Sequence, residues 1–436
     1  MANTDLYNAS SRSLSVEIDI YFSSGTLTVT ESNYLLSFDL LEELGADDAN
    51  SAIGTTSSNE LDIKLLNKDG LFSPTNSTSI YYGSMTAGTK VVARIKPVDS
   101  TEWDELGTFY VSDWSTEITS LETSVTCYDK LQSVLNLDPP AAAALSDISF
   151  VDAFNVYLNK LNIAHNVDTS INGEMSWWYP STDVSSTLKY MTNACIAATF
   201  CGRNDEVEVR SMTKQQSVAA TLTDGNQIIS ASIPSTISKE FDGVLISINN
   251  TQLSDIDTIL TIKDYTALAG ENTSSSISLG TSPVATIESM RVNSSDDSVD
   301  IVGYEHSTYT CTITTSNSLA DKSTEIEMLG KTIEVVKETA ESYGNSPMTF
   351  DNIYAQNSTV CDTASDVFSR YISNQIPTME LSIRGNPTLQ LGDKINVISE
   401  KYNLNYTGVL QRASYKYAGS LSCTITLINS LIMEVS

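Results

Sequence analysis

Two histidines, six cysteines and 54 carboxylates are the side chains with which this 436-residue chain could do chemistry. A zinc peptidase needs ligands at helical spacing, as in His-Glu-x-x-His, but His165 and His306 each stand alone. A serine or cysteine nucleophile needs a neighbouring base, and neither histidine sits in a supporting motif. Cys127, Cys195, Cys201, Cys311, Cys361 and Cys423 form no Cys-x-x-Cys pair, which is poor material for a metal site. Carboxylate pairs suited to glycoside hydrolysis occur everywhere among so many acids and single out nothing. There is no phosphate loop of the G-x-x-x-x-G-K-[ST] type and no G-x-S-x-G elbow. The expectation is therefore no enzyme, with no catalytic, cofactor-binding or metal residues and no cofactor. Trp177-Trp178 or Tyr81-Tyr82 could serve as a sugar platform, but a packed pair at an α/β junction is the expected role of the tryptophans.

Composition narrows the partners. With 24 basic residues against 54 acidic ones the net charge is −30, and the isoelectric point is near 4.2. Gripping DNA takes clustered Lys and Arg to neutralise phosphates, whereas Lys160, Lys189 and Arg203 are widely spaced. Stable nucleic-acid binding is not expected. An acidic surface repels DNA only within a Debye length of about 8 Å in physiological salt, which suits passage without adhesion. Scattered cysteines point to folding in a reducing cytoplasm. Residues 1–12 lack the apolar core of a signal peptide, and no apolar run approaches the roughly 18 residues of a membrane span. No membrane anchor is expected.

The elements are mostly short strands. Leu14 to Ile20 and Thr26 to Thr30 alternate around Ser23-Ser24-Gly25 as a hairpin. Tyr34 to Leu41, Leu61 to Leu66, Val91 to Ile95, Leu106 to Val111 and Leu121 to Tyr128 extend the sheet, with 47–58 as a polar loop. Pro139-Pro140 marks a change to helix. Val151, Phe154, Leu158 and Leu161 share a face behind the cap Ser149, and a second helix fits Ser185 to Ala198. Strands return at Glu206 to Arg210, Gly243 to Ile248 and Ile256 to Lys263, followed by a Ser/Thr/Asn-rich stretch. Ile326, Leu329, Ile333 and Val336 predict a helix over Leu319 to Ser342, and another is expected over Thr363 to Asn374. Met379 to Ile383, Lys394 to Ile398, Tyr406 to Gln411, Ala413 to Tyr417 and Leu421 to Ile428 are the closing strands.

Three ordered sets of residues carry a family resemblance. The first is Asn67-Lys68-Asp69-Gly70-Leu71-Phe72-Ser73-Pro74, Tyr81-Tyr82-Gly83, Gly88-Thr89-Lys90-Val91, Leu106 to Trp114 and Val125 to Leu131. The second runs from Trp178-Tyr179-Pro180 through a helix to Gly202-Arg203-Asn204-Asp205. The third is Arg384-Gly385-Asn386-Pro387, Leu391-Gly392-Asp393 and Tyr406 to Leu427. Together they resemble phage tail hub proteins, meaning baseplate hubs and the amino-terminal part of tail-associated proteins of long flexible tails. The likeness covers most of the chain and is weakest over 265–350.

That resemblance implies a mainly β fold with α+β insertions, in which two tail-tube-like antiparallel β-barrel domains carry peripheral α/β domains. The implied partition is a polar arm (1–12), a first barrel (13–135), an α+β domain (136–238), a second, discontinuous barrel (239–264 and 378–436) and an inserted β-rich and helical domain (265–377). Residue identity alone does not reveal the repeat. The implied function is a structural virion protein at the tail tip: a homotrimeric ring that adapts a sixfold tube to a threefold tip and lines part of the DNA exit path. Its implied partners are its own copies, the tail tube or distal tail protein, the tape measure protein, and tip, spike or fibre proteins. The alternatives are a carbohydrate-binding adhesin and a tail-associated cell-wall hydrolase. The sequence stops directly after the second barrel, so no appended enzyme domain is expected.

Overall fold

The computed structural model describes residues 3–9, 11–44, 55–117, 119–214, 217–224, 227–232, 241–293, 298–374 and 378–433. Most of the expected 47–58 loop lies outside them. A short helix α1 (Asn3–Tyr7) precedes β1 (Leu14–Phe22), β2 (Gly25–Val29), β3 (Leu35–Glu43), β4 (Thr55–Thr56), β5 (Glu60–Leu66), β6 (Lys90–Pro97), β7 (Asp104–Glu117) and β8 (Glu122–Tyr128). Period-two alternation does what it must: Leu61, Ile63 and Leu65 of β5 are wholly buried while their neighbours face away. Apart from β4 these strands pair antiparallel in the order β3-β5-β8-β7-β6-β1-β2. The amino-terminal segment, expected as a polar arm, is strapped down. Tyr7 is buried and its hydroxyl donates to the Asp104 carboxylate at 2.8 Å. Arg12 then reaches the carbonyls of Arg384 (2.7 Å), Gly385 (2.8 Å) and Leu421 (3.1 Å).

An α/β unit follows: α2 (Lys130–Leu135), β9 (Leu145–Ser149), α3 (Phe150–Lys160), β10 (His165–Val167), β11 (Glu174–Trp178), α4 (Val184–Ala194), β12 (Ala197–Cys201) and β13 (Val207–Ser211). Ser149 caps α3 by accepting from the Asp152 amide at 3.1 Å. The helix expected to reach Ala198 stops at Ala194. Ile196 takes a left-handed φ of 49° and turns the chain into β12, whose five residues are all buried. Small apolar residues buried on both faces read equally well as either element, which is why the boundary slipped.

The next stretch departs most from expectation. It holds β14 (Val218–Thr223), β15 (Ile228–Ser232), β16 (Gly243–Leu253), β17 (Asp257–Ala267), β18 (Gly270–Thr273), β19 (Ile277–Ser278), β20 (Val284–Asn293), β21 (Val299–His306), β22 (Thr310–Asn317), β23 (Lys322–Ser342), β24 (Pro347–Phe350) and α5 (Ser358–Ser373). Leu319 to Ser342 is not a helix but mostly the 21-residue strand β23, pairing with β16, β17 and β20. Thr324, Ile326, Met328 and Gly330 are the buried face, at period two, while Val336 is exposed. The close approach of β20 requires glycine at 330, since an added Cβ would lie 2.1 Å from the Thr286 carbonyl oxygen. The described part of 239–264, residues 241–264, does not join the carboxy-terminal sheet. Its strands β16 and β17 pair with β23, and 218–232 supplies β14 and β15 to that sheet instead.

The chain closes with β25 (Thr378–Ile383), β26 (Lys394–Ser399), β27 (Leu404–Tyr417), β28 (Leu421–Asn429) and α6 (Ser430–Met433). The residues expected as two strands, 406–411 and 413–417, form the single strand β27 with a bulge between Leu410 and Arg412. Strand β27 also pairs with β3, so early and late strands share one 13-stranded sheet. One hydrophobic core, running from Val16 through Phe109 to Tyr415 and Leu427, lies behind it. A second core joins α3, α4, α5 and β16, and a small third one, around Ile313 and Met328, belongs to the inserted strands.

Candidate functional site: a repeated unit and its open edges

The reactive side chains are placed structurally. His165 bonds the Ile163 carbonyl (2.7 Å) and the Asn155 side chain (3.2 Å), and His306 meets the Ser307 carbonyl at 3.2 Å. All six cysteines are free and buried, so Cys195 and Cys201 are not bridged. Burial pushes the Cys361 and Cys311 thiols up to about 11, far from a reactive thiolate. Among the described residues no group of His, Cys, Asp and Glu could hold a metal ion, and no helix is long and apolar enough to cross a membrane. Trp178 is fully buried, edge-on to Tyr157 with ring centroids 5.9 Å apart, and presents no face to a sugar. Trp177 is pinned through its backbone to Gln356 (2.9 and 2.7 Å). Tyr81 stacks on Phe22 at 4.3 Å, leaving Tyr82 as the exposed member of that pair. A cleft of about 480 Å³ between Trp103, Arg203 and Thr388 has no His, Cys or Ser in its lining.

What the structure brings together is a repeat. The order β3-β5-β8-β7-β6 in the first half matches β15-β25-β28-β27-β26 in the second, with every pair antiparallel. Two irregularities fall at equivalent positions, although the shift between Ala93 and Arg94 in the β6–β7 pair has no counterpart in β26–β27. Strand β7 bulges between Val111 and Asp113, β27 between Leu410 and Arg412. Strand β3 slips register between Leu35 and Ser37, β15 between Ile228 and Ser230. From these anchors Leu61 and Met379 face Cys127 and Leu427 respectively. Each unit ends in the same strand-to-helix cap: Asp129 accepts from the Leu131 amide at 2.9 Å, Asn429 from the Leu431 amide at 3.0 Å. The units differ at their sixth strand, since β1 meets β6 antiparallel while β14 meets β26 parallel.

Within the chain the units join edge to edge. Strand β3 lies along the second half of β27 with Phe38 opposite Tyr417, Asp39 opposite Lys416 and Glu43 opposite Arg412. Phe38 and Tyr417 stack at 5.4 Å, and Arg412 lies 3.7 Å from Glu43. A buried ion pair locks the seam: Arg203 grips Glu42 through Nε (2.8 Å) and Nη2 (2.7 Å) and also donates to the carbonyls of Pro387 and Leu389. Burial alone would lower the Arg203 pKa, but the Glu42 carboxylate outweighs it and holds the guanidinium above its ordinary value. Arg203 sits in the Gly202-Arg203-Asn204-Asp205 turn that carried part of the resemblance. Its role is to weld the α/β unit to the seam.

Two edges equivalent to the joined ones stand open. Among the described residues strand β15, the counterpart of β3, ends the sheet, and residues 229–232 are exposed. The second half of β7, the counterpart of the part of β27 that receives β3, pairs with β8 on one side only. Among the described residues nothing pairs with its other side, and Ser112, Asp113, Ser115 and Glu117 are exposed.

No family model and no curated protein sequence matches the chain. Solved structures do. The 43 kDa tail protein of prophage MuSo2 from Shewanella oneidensis superposes with a TM-score of 0.54 at 9% identity, covering 96% of this chain and 99% of that one. The tail protein from Neisseria meningitidis MC58 gives 0.53 at 10% identity, covering 96% and 98%. Coverage is nearly complete in both directions. This chain has the fold of these two phage tail proteins.

Proposed function

We propose that the chain is a structural tail protein of a phage or prophage particle, acting as the hub that ends the tail tube. The repeat carries this reading. One chain presents two units matched in strand order and in two of their bulges, and three such chains supply six near-equivalent surfaces with threefold symmetry. A ring of this kind adapts a sixfold tube above to a threefold tip below. Its partners in this reading are its own copies, the tube or distal tail protein, the tape measure protein and the tip, spike or fibre proteins. The net charge of −30 fits a ring through which DNA passes without sticking, and a reconstructed ring with a basic lumen would contradict that part. In this reading the role is mechanical. Light scattering after size exclusion tests the reading. The expected mass is three times the 47.3 kDa of the chain, and a mass of one chain at every concentration contradicts it.

A further inference from the structure

We propose that the cleft between Trp103, Arg203 and Gln390 binds a neutral sugar, with one pyranose ring lying on the open face of Trp103. This is a second role beside that of a hub. The cleft lies within one chain, so the site stands whether or not copies assemble.

The platform comes first. Trp103 stands between β6 and β7 and is half-buried. The Lys96 ammonium lies 4.7 Å and the Arg94 guanidinium 5.5 Å from its ring centroid. Residues two apart on a strand point the same way, so both cations meet the indole from the side of β6. Neither of them lines the cleft, whereas Trp103 does. The cleft therefore meets the other face of the ring. Cation–π attraction holds that ring in place, so the platform exists before a ligand arrives.

Polar groups converge on it from three parts of the fold: Glu105 from the first unit, Glu208 from the α/β unit and Gln390 from the second unit. The volume of about 480 Å³ falls within the range of about 300–1,000 Å³ usual for ligand pockets, which favour such junctions. Among the described residues no protein group bonds the Glu105 carboxylate or the Gln390 side-chain amide. A carboxylate accepts hydrogen bonds, and an amide both donates and accepts. Together they suit hydroxyls, which also do both. A pyranose carries hydroxyls around its rim and C–H bonds on its faces, and those C–H bonds pack on the electron-rich face of an indole.

Charge argues against an ionic ligand. Arg203 is paired with Glu42 (2.7 Å), Glu208 with Arg210 (2.6 Å) and Arg94 with Glu17 (2.8 Å). Asp104 accepts from Tyr7 and Asn3, both at 2.8 Å. An anion entering the cleft would meet Asp104 and Glu105. A cation would meet Arg203 and the two cations behind the platform. A neutral ring avoids both.

Saturation-transfer difference NMR on the full chain tests the site. The neutral probes are the methyl glycosides of glucose, galactose, mannose, rhamnose and N-acetylglucosamine, each standing for a ring within a glycan. The methyl glycosides of glucuronic acid and glucosamine are the charged ones. The expected result is transfer to the protons on one face of at least one neutral probe, and none to the charged pair. Trp103→Ala should remove the transfer, and Trp103→Phe, which keeps an aromatic face, should retain it. Gln390→Ala, at an exposed position that spares the fold, should weaken it. No transfer to any neutral probe, transfer that survives Trp103→Ala, or preference for a charged probe overturns the site. Where Trp103→Ala fails to fold, Gln390→Ala decides, and unchanged transfer in it overturns the site. A monomeric mass in light scattering contradicts the hub and leaves this site standing.

Discussion

Gly88 and Gly392, 304 positions apart in the sequence, occupy the same place in the two units. Their φ angles are +81° and +83°. Each amide donates to the second strand that follows, Gly88 to the Val111 carbonyl of β7 (2.7 Å) and Gly392 to the Leu410 carbonyl of β27 (2.8 Å). Val111 and Leu410 return the bond to the carbonyls of Thr89 (2.9 Å) and Asp393 (2.8 Å). In both cases the strand bulges directly afterwards. The turn sets the bulge, and the bulge aims the half-strand whose edge is joined in one unit and open in the other.

These glycines make the first prediction. An L-residue in the left-handed region costs roughly 1–2 kcal/mol. A Cβ at residue 88 meets nothing within 4 Å, whereas at 392 it would lie 3.0 Å from Nη1 of Arg210. Gly88→Ala should lower unfolding stability in urea by about 1–2 kcal/mol, and Gly392→Ala by at least as much. Unchanged midpoints in both variants would contradict the shared turn.

The seam gives the second. Removing one partner of a buried ion pair strands the other, at about 3–5 kcal/mol. Arg203→Met should cost on that order, and pairing it with Glu42→Leu should recover a substantial part. A double variant as unstable as the sum of the two singles would mean that Arg203 acts mainly through the carbonyls of Pro387 and Leu389.

Gly330→Ala makes the third, because the obstruction is backbone and cannot swing aside. Hydrogen exchange should show the core around Ile313 and Met328 opening first, with strands β5 and β8 still protected. Uniform protection across the inserted strands would contradict the close approach of β20.

Asp129 makes a fourth, in pH. It accepts from the Asn59 and Leu131 amides (2.7 and 2.9 Å), yet burial pushes its carboxyl up from 3.8 to about 7. A raised folded pKa means the folded state holds the proton more tightly. Its contribution is full below pH 3.8 and lost as pH rises through 7. Measured against Asp129→Asn, which keeps the cap acceptor as Asn429 does in the other unit, the wild type should lose ground between pH 4 and 8. The loss should approach ~4 kcal/mol at full ionisation. A pH-independent difference would contradict the shift.

Much of this fold is legible in the sequence because alternation reports a half-buried strand directly, as in Leu61-Asp62-Ile63-Lys64-Leu65. It misled at β23, where Ile326, Leu329 and Ile333 also fit helical spacing and Gly330 was the sign of a strand passing close to a neighbour. The repeat was hidden for a physical reason. A strand position fixes the face and size of its side chain rather than its identity, so Leu61 and Met379, or Cys127 and Leu427, do the same work. Gly88-Thr89-Lys90-Val91 against Gly392-Asp393-Lys394-Ile395 was the readable trace. The open edges were not legible at all, since they depend on which strands pair across 370 residues.

In the hub reading one chain carries two near-equivalent units, and three chains close a ring. Class averages of the purified particle in negative stain, calculated without imposed symmetry, test it most directly. The expected averages show an open ring with six lobes of similar outline and true threefold symmetry. A ring with any other number of lobes, or a particle with no central opening, would contradict it.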